Sequence, residues 1–181
     1  MIKLITLFFL ISVSMNSQSL DIINPSKDVG VKNWYIVNDD VMGGISKSNL
    51  YVNKENNLTF RGYLSLENNG GFASSRLSLK KDILKDVKSF KIKLRGDGNK
   101  YKLRLRQNNR RASYSHDFKS FDGEWTEVYI QVKDFKPSWR GYSYSDYPAL
   151  DTDEINSMGL QISDKQEGKF MLEIEYIKAI F

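Results

Sequence analysis

The sequence predicts an all-β domain, an antiparallel β-sandwich or jelly roll with one or two short helical turns. One observation is that several segments alternate apolar and polar residues with a period of two, as half-buried strands do. A second is the composition, with 12 glycines and 3 prolines among 181 residues and no sustained helical period. Many short strands with few helices are typical of sandwich and jelly-roll folds.

The alternating segments run through most of the chain. The first places Leu58, Phe60, Gly62, Leu64 and Leu66 on one face. Five further segments have strand composition: residues 90–95, 101–106, 127–132, 158–162 and 170–176. Between two of them, Gly96-Asp97-Gly98-Asn99 is a strong turn signal, so we expect residues 90–95 and 101–106 to be antiparallel neighbours.

Two segments predict the helical turns. Asp151-Thr152-Asp153-Glu154 resembles the start of a helix, which must be short because a strand follows it at residues 158–162. Residues 80–88 are the second candidate.

Residues 1–19 resemble a cleaved secretory signal, followed by a single domain over residues 20–181. Lys3 supplies the positive charge, residues 4–13 are nearly all apolar, and Ser17-Gln18-Ser19 offers small residues at a cleavage site. The apolar run is short for a membrane span, and the alternative is an uncleaved anchor. In both cases Lys3 favours a cytoplasmic N-terminus, so we expect a periplasmic or secreted domain with no membrane span after cleavage.

Composition restricts the partners and the chemistry. The chain has no cysteine, which excludes disulfides and a lipoprotein anchor. The formal net charge is +5. With export, we predict no nucleic-acid partner and consider acidic proteins, anionic glycans or lipid headgroups instead.

Catalytic motifs are absent from the sequence pattern. His116 is the single histidine, which we interpret as a surface residue, and it cannot build a His-rich zinc site. Nothing near it resembles the strained nucleophile turn of a Ser-His-Asp triad. We therefore predict a protein that is not an enzyme and has no metal or cofactor, with paired carboxylates acting on a glycan as the alternative.

Two doubled-glycine motifs are the most specific feature of the chain. They are Asn38-Asp39-Asp40-Val41-Met42-Gly43-Gly44-Ile45-Ser46 and Glu67-Asn68-Asn69-Gly70-Gly71-Phe72-Ala73-Ser74-Ser75-Arg76. Glycine permits positive φ and close backbone approach, so each motif predicts a defined bend that enters a strand.

These motifs have several interpretations. They are turns only, or their backbone N–H groups form a concavity that binds an anion or a carbonyl. Asp39 and Asp40 could instead ligate calcium. The account that we favour pairs Asp39 or Asp40 with Arg76, which would lock the two motifs together, and all three residues are candidate binding residues.

Six basic residues occupy alternate positions of two predicted strands: Lys91, Lys93, Arg95, Lys102, Arg104 and Arg106. If the predicted hairpin forms, they share one face of a sheet. That face is either simply solvated or a shallow basic groove for an acidic partner or an anionic glycan. In the second case Arg104 and Arg106 bind the ligand.

The segment Trp139-Arg140-Gly141-Tyr142-Ser143-Tyr144-Ser145-Asp146-Tyr147 predicts an aromatic loop. Exposed aromatic rings beside polar groups are used both for sugar rings and for protein hot spots. Trp139, Arg140, Tyr142 and Tyr144 are therefore candidate binding residues. In the alternative interpretation the rings fold back over the edge of the core.

Several separated motifs, in order, resemble the CIA30 family, named for the complex I intermediate-associated protein. The matching positions begin with Trp34, the first doubled-glycine motif from Asn38, Phe60-Arg61-Gly62 and Asn69-Gly70-Gly71-Phe72-Ala73-Ser74. They continue with Leu94-Arg95-Gly96-Asp97-Gly98, Trp139-Arg140-Gly141, Ile155-Asn156-Ser157-Met158-Gly159-Leu160, Asp164-Lys165, Gly168-Lys169-Phe170 and Leu172-Glu173-Ile174. The resemblance covers nearly all of residues 20–181 and implies a galactose-binding-like jelly roll, similar to that of some carbohydrate-binding modules.

The resemblance also implies a non-catalytic activity, since a mitochondrial member of the family is an assembly chaperone for respiratory complex I. That assembly takes place on the matrix side, equivalent to the bacterial cytoplasm, whereas the signal-like segment directs this domain outward. We therefore expect an exported, chaperone-like module that binds an unidentified protein of the envelope. The alternative is a carbohydrate-binding module of the envelope.

Overall fold

The computed structural model describes residues 18–108 and 110–181, except for the side chains of Val41 and Met42. The predicted signal segment therefore lies almost entirely outside the described residues. At its boundary, Ser19 already pairs with Ile180 at the end of the last strand. No helix in the described part of the chain has the length and apolar composition that crossing a membrane requires.

The described residues form thirteen strands in two antiparallel sheets, which confirms the predicted β-sandwich. The strands are β1 (Ser19–Ile23), β2 (Trp34–Ile36), β3 (Lys47–Val52), β4 (Leu58–Leu64), β5 (Ala73–Ser78), β6 (Ser89–Gly96), β7 (Lys100–Gln107), β8 (Ser113–Lys119), β9 (Thr126–Gln131), β10 (Lys136–Trp139), β11 (Tyr142–Ser143), β12 (Ile155–Ile162) and β13 (Gly168–Ile180). The six-stranded sheet has the order β3-β4-β13-β6-β9, and β1 also pairs with β13. The seven-stranded sheet has the order β11-β10-β8-β7-β12-β5-β2.

The core lies between the two sheets because alternation sends every second side chain inward. Leu58, Phe60 and Leu64 of β4 are fully buried, as the sequence pattern predicts. Phe170 of the six-stranded sheet packs against Phe60 at 5.0 Å between ring centroids, and against Tyr101 of the seven-stranded sheet at 6.5 Å. These aromatic contacts join the two layers.

The predicted hairpin between residues 90–95 and 101–106 is wrong. Strand β6 pairs with β13 and β9, whereas β7 pairs with β8 and β12 in the other sheet. Gly96-Asp97-Gly98-Asn99 is therefore a crossover between sheets. The Asp97 carboxylate holds it by accepting hydrogen bonds from Met171 N (2.7 Å) in one sheet and from the Tyr101 hydroxyl (3.0 Å) in the other.

Both glycines of this crossover have structural roles. Gly98 has φ +83°, a conformation that favours glycine. A side chain on Gly96 would lie 2.5 Å from Oγ of Ser120, whose hydroxyl donates to the backbone oxygen of Asn99. The crossover thus depends on the positive φ of Gly98, on the lack of a side chain at Gly96 and on the acceptor carboxylate of Asp97.

Within the described residues the helical content consists of five single 3-10 turns: Pro25–Lys27, Asp39–Met42, Glu67–Asn69, Val132–Asp134 and Thr152–Glu154. The last confirms the helix start predicted there, since Asp151 caps it by accepting a hydrogen bond from Asp153 N (3.1 Å). Residues 80–88 form turns rather than a helix.

Candidate functional site

The two doubled-glycine motifs meet around one buried carboxylate, that of Asp39, which is 2% exposed. It accepts hydrogen bonds from the backbone and hydroxyl of Ser46 (3.0 and 2.6 Å) in the first motif. It also accepts from the backbone N–H groups of Gly71 (2.7 Å) and Phe72 (3.3 Å) in the second. We call this arrangement the Asp39 junction, defined by Asp39, Ser46, Gly71 and Phe72.

Each motif uses its two glycines for two different purposes. Gly43 and Gly71 have φ +86° and +135°, which side chains disfavour. Gly44 and Gly70 provide space instead, because an added Cβ would lie 2.5 and 2.7 Å from the carboxylate oxygens of Asp39. The doubled glycines therefore permit a bend and admit a carboxylate beside it.

Asn38 and Asn69 of these motifs, together with the nearby Trp34, flank the junction. The Asn38 side chain accepts from the Ser48 hydroxyl (2.8 Å) and from Ser74 N (3.3 Å), so it also bridges the two motifs. Trp34 donates its ring N–H to Gly30 O (2.7 Å) and packs on the core. Asn69 has φ +60° in the turn that leads into Gly70.

These contacts correct the favoured interpretation of the motifs. Asp39 does lock the two motifs together, but its partners are backbone N–H groups and Ser46 rather than Arg76. Asp40 is exposed. The N–H concavity exists, and the chain's own carboxylate occupies it. The described residues contain no group of three or more His, Asp or Glu side chains that could hold a metal ion.

Arg76 lies instead on the outer face of the seven-stranded sheet, together with Arg104 and Arg106. Gly159 of β12 stands between Arg76 on β5 and Arg104 on β7 in the strand register, and Ser157 pairs with Arg106. Neighbouring strands are about 4.8 Å apart, so the backbones of Arg76 and Arg104 are about 10 Å apart across a residue without a side chain. We call these three residues the arginine cluster; with Ser74, Ser157 and Gly159 they line a shallow depression.

The arginine cluster has neutral hydrogen-bond partners. Arg104 donates to Gln161 Oε1 (2.6 Å) and to the Ser113 hydroxyl. Arg76 donates to the Tyr35 hydroxyl (3.3 Å), and its guanidinium lies 5.5 Å from the centre of that ring. In residues 18–108 and 110–181 no carboxylate forms a salt bridge with any of the three. The sequence has no Asp or Glu at positions 1–17 or 109.

The other four basic strand residues are each paired with acids. Lys91 contacts Glu127 (2.9 Å), Lys93 contacts Glu175 (2.8 Å) and Arg95 contacts Glu173 (2.6 Å), all on the six-stranded sheet. On the seven-stranded sheet, Lys102 contacts Asp117 (2.7 Å) and Asp164 (2.9 Å). The prediction of one continuous basic face is wrong, because β6 and β7 belong to different sheets. Only Arg104 and Arg106 of that set lack an acidic partner among the described residues.

Burial and mutual repulsion weaken the charged state of the cluster. Desolvation, followed by the charges of Arg76 and Arg106, lowers the pKa of Arg104 to about 10. Desolvation and the charge of Arg76 also lower the pKa of Arg106. An arginine remains cationic at neutral pH under these conditions, so the face carries three closely spaced positive charges without compensation.

The aromatic loop is a β-hairpin that lies apart from the arginine cluster. Trp139 pairs with Tyr142 across a turn made by Arg140 and Gly141, which have φ +49° and +82°. Ser138, which precedes Trp139, pairs in register with Ser113, whose hydroxyl accepts a hydrogen bond from Arg104 on the arginine side. Alternation therefore sends Trp139 and Tyr142 to the opposite side of the sheet.

Some rings of this hairpin fold over the edge of the core and others are exposed, so each of the two predicted interpretations holds for part of the segment. Tyr144 stacks on Tyr147 at 5.1 Å, and Tyr147 packs edge-on against buried Tyr114, so these rings cover the edge of the core. Tyr142, by contrast, is 73% exposed. Two guanidinium groups approach the Trp139 ring, Arg111 at 3.8 Å and Arg140 at 4.6 Å from its centre.

The structure contains a second open surface that the sequence pattern did not indicate. A cleft of about 590 Å³ opens beside β3, β4 and β13, with Lys47, Arg61, Tyr63, Lys169 and Met171 among its lining residues. Tyr63 is 49% exposed there. Tyr63 and Met171 occupy the strand positions that alternate with buried residues and therefore face solvent. Large apolar residues at such positions are the sequence signal that could have indicated this cleft.

His116 is not the surface residue that we expected. It is half-buried, shares the inward parity of Tyr114 and Phe118, and lies 6.1 Å from the ring of Phe135. Its Nδ1 is buried and has no hydrogen-bond partner among the described residues.

Comparison with known proteins identifies the family. The family model described as Complex I intermediate-associated protein 30 (CIA30) matches residues 23–174. The mouse (Mus musculus) protein named complex I intermediate-associated protein 30, mitochondrial, is 28% identical over an alignment that covers 80% of this chain and 51% of the mouse protein. The chain thus spans about half the length of that relative.

Solved structures show the same fold in carbohydrate-binding modules. The family 11 module of a cellulosomal cellulase from Clostridium thermocellum has a TM-score of 0.65 and 16% identity, covering 93% of this chain and 96% of the module. A structure of the family 11 module in complex with a β-1,3-1,4-mixed-linked tetrasaccharide has a TM-score of 0.63 and 16% identity, covering 91% of this chain and 95% of that module. A family 29 module has a TM-score of 0.59 and 8% identity, covering 91% and 85%.

Proposed function

The chain belongs to the CIA30 family, and from that premise we propose that it is a non-catalytic module that binds a partner protein during assembly. The ligand face in this proposal is the outer face of the seven-stranded sheet. The observation that carries it is the arginine cluster, since three half-buried cations without an acidic partner are costly unless a ligand compensates them.

We propose that the module has no catalytic activity. The chain has one histidine and no cysteine, and His116 lies with the inward residues rather than on the arginine face. The hydroxyl and amide groups around the cluster, those of Tyr35, Ser113 and Gln161, hold the guanidinium groups in place. Such an arrangement orients cations for recognition and includes no general base.

We further propose that the domain is exported, with residues 1–19 as its signal. The support is the sequence pattern of that segment. Fractionation of the native host and N-terminal sequencing test this directly. A mature N-terminus near Leu20 outside the cytoplasm is the expected result, and an unprocessed chain in the cytoplasm would contradict it.

The binding function is tested by crosslinking in the native host. A photo-crosslinking residue placed at the exposed position Ser78, beside the arginine cluster, is expected to trap one specific protein. The matched control carries the same residue at Asn49, on the other sheet, and should not trap that protein. If several growth conditions produce no specific product at Ser78, the assembly role is wrong.

Carbohydrate binding is a second candidate function, favoured by the likeness to carbohydrate-binding modules and by the exposed rings of Tyr63 and Tyr142. Sugar rings stack on exposed aromatic faces. A glycan array with the parent protein and with Tyr63→Ala and Tyr142→Ala variants would locate such a site. Binding that either substitution abolishes would support this function, whereas no binding to neutral or acidic glycans would count against it.

A further inference from the structure

We propose that the arginine cluster is a specific receptor for a side-chain carboxylate in an acidic segment of the partner protein. This inference rests on the proposed function and adds the chemistry of the contact. It concerns Arg76, Arg104 and Arg106 around Gly159, a set that no pairing within the described residues explains.

The cluster differs from four other basic strand residues in how its charge is compensated. Lys91, Lys93, Arg95 and Lys102, which are half-buried like the cluster, lie 2.6–2.9 Å from carboxylates of this chain. The chain therefore neutralises these four half-buried cations, whereas at the cluster it places serine, glutamine and tyrosine instead. A carboxylate from outside would give the cluster the compensation that those four residues have.

The geometry of the cluster also suits a carboxylate. Arg104 is held from both sides by Gln161 and Ser113, so its guanidinium is already oriented before a ligand arrives. Gly159 leaves the space between Arg76 and Arg104 without a side chain. Guanidinium groups recognise carboxylates through two parallel hydrogen bonds, and preorganised donors lose less entropy on binding.

The surroundings favour a protein carboxylate over an acidic sugar. A pyranose ring needs an open aromatic face, and the ring beside the cluster is that of Tyr35, over which the Arg76 guanidinium lies. The nearest other lining groups of the depression are small: Ser74, Ser157 and Gly159. The depression is too small to enclose a sugar ring, whereas a carboxylate of a peptide lying on the sheet face could contact the guanidinium groups at its rim.

The test uses the full mature chain and three defined probes: hexaglutamate, hexaglutamine and a galacturonate hexamer. Binding is measured by calorimetry at an ionic strength of about 0.15 M, where charges more than about 8 Å apart are largely screened. We expect saturable binding of hexaglutamate, no binding of hexaglutamine, and at least tenfold weaker binding of the galacturonate hexamer.

The variants separate recognition from net charge. Arg76→Gln with Arg106→Gln should weaken hexaglutamate binding at least tenfold, while leaving Arg104 and its two hydrogen bonds in place. Lys54→Gln with Lys133→Gln removes the same charge from exposed positions next to β3 and β9 of the other sheet and should leave binding within twofold of the parent. Arg76→Lys with Arg106→Lys keeps the charge without the fork and should give an intermediate affinity.

Three results would overturn the inference: no saturable hexaglutamate binding to the parent, an equal loss in the Lys54 and Lys133 control, or tighter binding of the galacturonate hexamer. A thermal melt of each variant shows that it is folded. The crosslinking experiment is independent of these probes. A trapped partner without hexaglutamate binding would overturn only this inference, and hexaglutamate binding without a trapped partner would overturn the proposed function while leaving carboxylate recognition by the arginine cluster in place.

Discussion

The carboxylate of Asp39 accepts a 2.7 Å hydrogen bond from the backbone N–H of Gly71, which lies 32 residues further along the chain. The same carboxylate binds Ser46 in its own motif, so one buried side chain joins the segment that enters β3 to the segment that enters β5. The N–H groups that could have bound an external anion are thereby used within the fold.

Replacing Asp39 is expected to be strongly destabilising. Asp39→Ala leaves the N–H groups of Ser46, Gly71 and Phe72 buried without an acceptor, and each such loss costs about 1–3 kcal/mol. We expect the free energy of unfolding, measured by urea denaturation, to fall by about 3 kcal/mol or more. Asp40→Ala is the matched control and should change it by less than about 0.5 kcal/mol. Similar losses for both variants would contradict the junction.

Acid should weaken the fold through the same residue. Burial acts to raise the pKa of Asp39, but the hydrogen bonds from Ser46, Gly71 and Phe72 outweigh it and hold the pKa below its ordinary value of 3.8. A lowered pKa in the folded state stabilises the protein above pH 3.8, and this contribution is lost as the pH falls through the folded value. Unfolding free energies measured from pH 5 to pH 2 should therefore fall more steeply for the parent than for Asp39→Asn. Parallel curves would show that Asp39 contributes nothing to the acid dependence.

The two glycines of one motif should respond differently to alanine. At Gly43 a Cβ meets no described atom within 4 Å apart from its chain neighbours, so we expect Gly43→Ala to cost about 1–2 kcal/mol for its positive φ. At Gly44 the Cβ would displace the Asp39 carboxylate, and we expect Gly44→Ala to cost about 3 kcal/mol. Thermal and urea unfolding of the two variants test the order. An equal or smaller loss for Gly44→Ala would be incompatible with this division of roles.

Removing charge from the arginine cluster should not harm stability. Arg76→Gln with Arg106→Gln relieves repulsion among cations that lack an acidic partner in the described structure, so we expect a melting temperature equal to or above that of the parent. Lys102→Gln on the same sheet breaks ion pairs with Asp117 and Asp164, and should cost up to about 1 kcal/mol. A double arginine variant less stable than Lys102→Gln would indicate that the cluster is structural.

Much of the architecture could be predicted from the sequence because it depends on local rules. The alternation at Leu58, Phe60 and Leu64 indicates an inward face, and those residues are buried. The doubled glycines indicate bends where positive φ is found. The cap at Asp151 likewise follows from a short motif.

The errors concern relationships between distant segments. The turn signal at residues 96–99 is real, but a turn does not specify whether the next strand stays in the same sheet. Here the Asp97 carboxylate connects Met171 and Tyr101 in different sheets, and no local pattern announces that contact. For the same reason the sequence pattern suggested a charged partner for Asp39, whereas most of its hydrogen-bond donors are backbone N–H groups.

The sequence by itself determined the fold class, the strand faces and the importance of the two glycine motifs, because side-chain periodicity and glycine conformation act within a few residues. Only the tertiary structure decided which acids and bases meet. Strand pairing across the sheet places Gly159 between Arg76 and Arg104, which are 28 residues apart in the sequence. Electrostatic energy depends on distance and burial in space, so the same six basic strand residues became four neutralised pairs and two members of an uncompensated cluster.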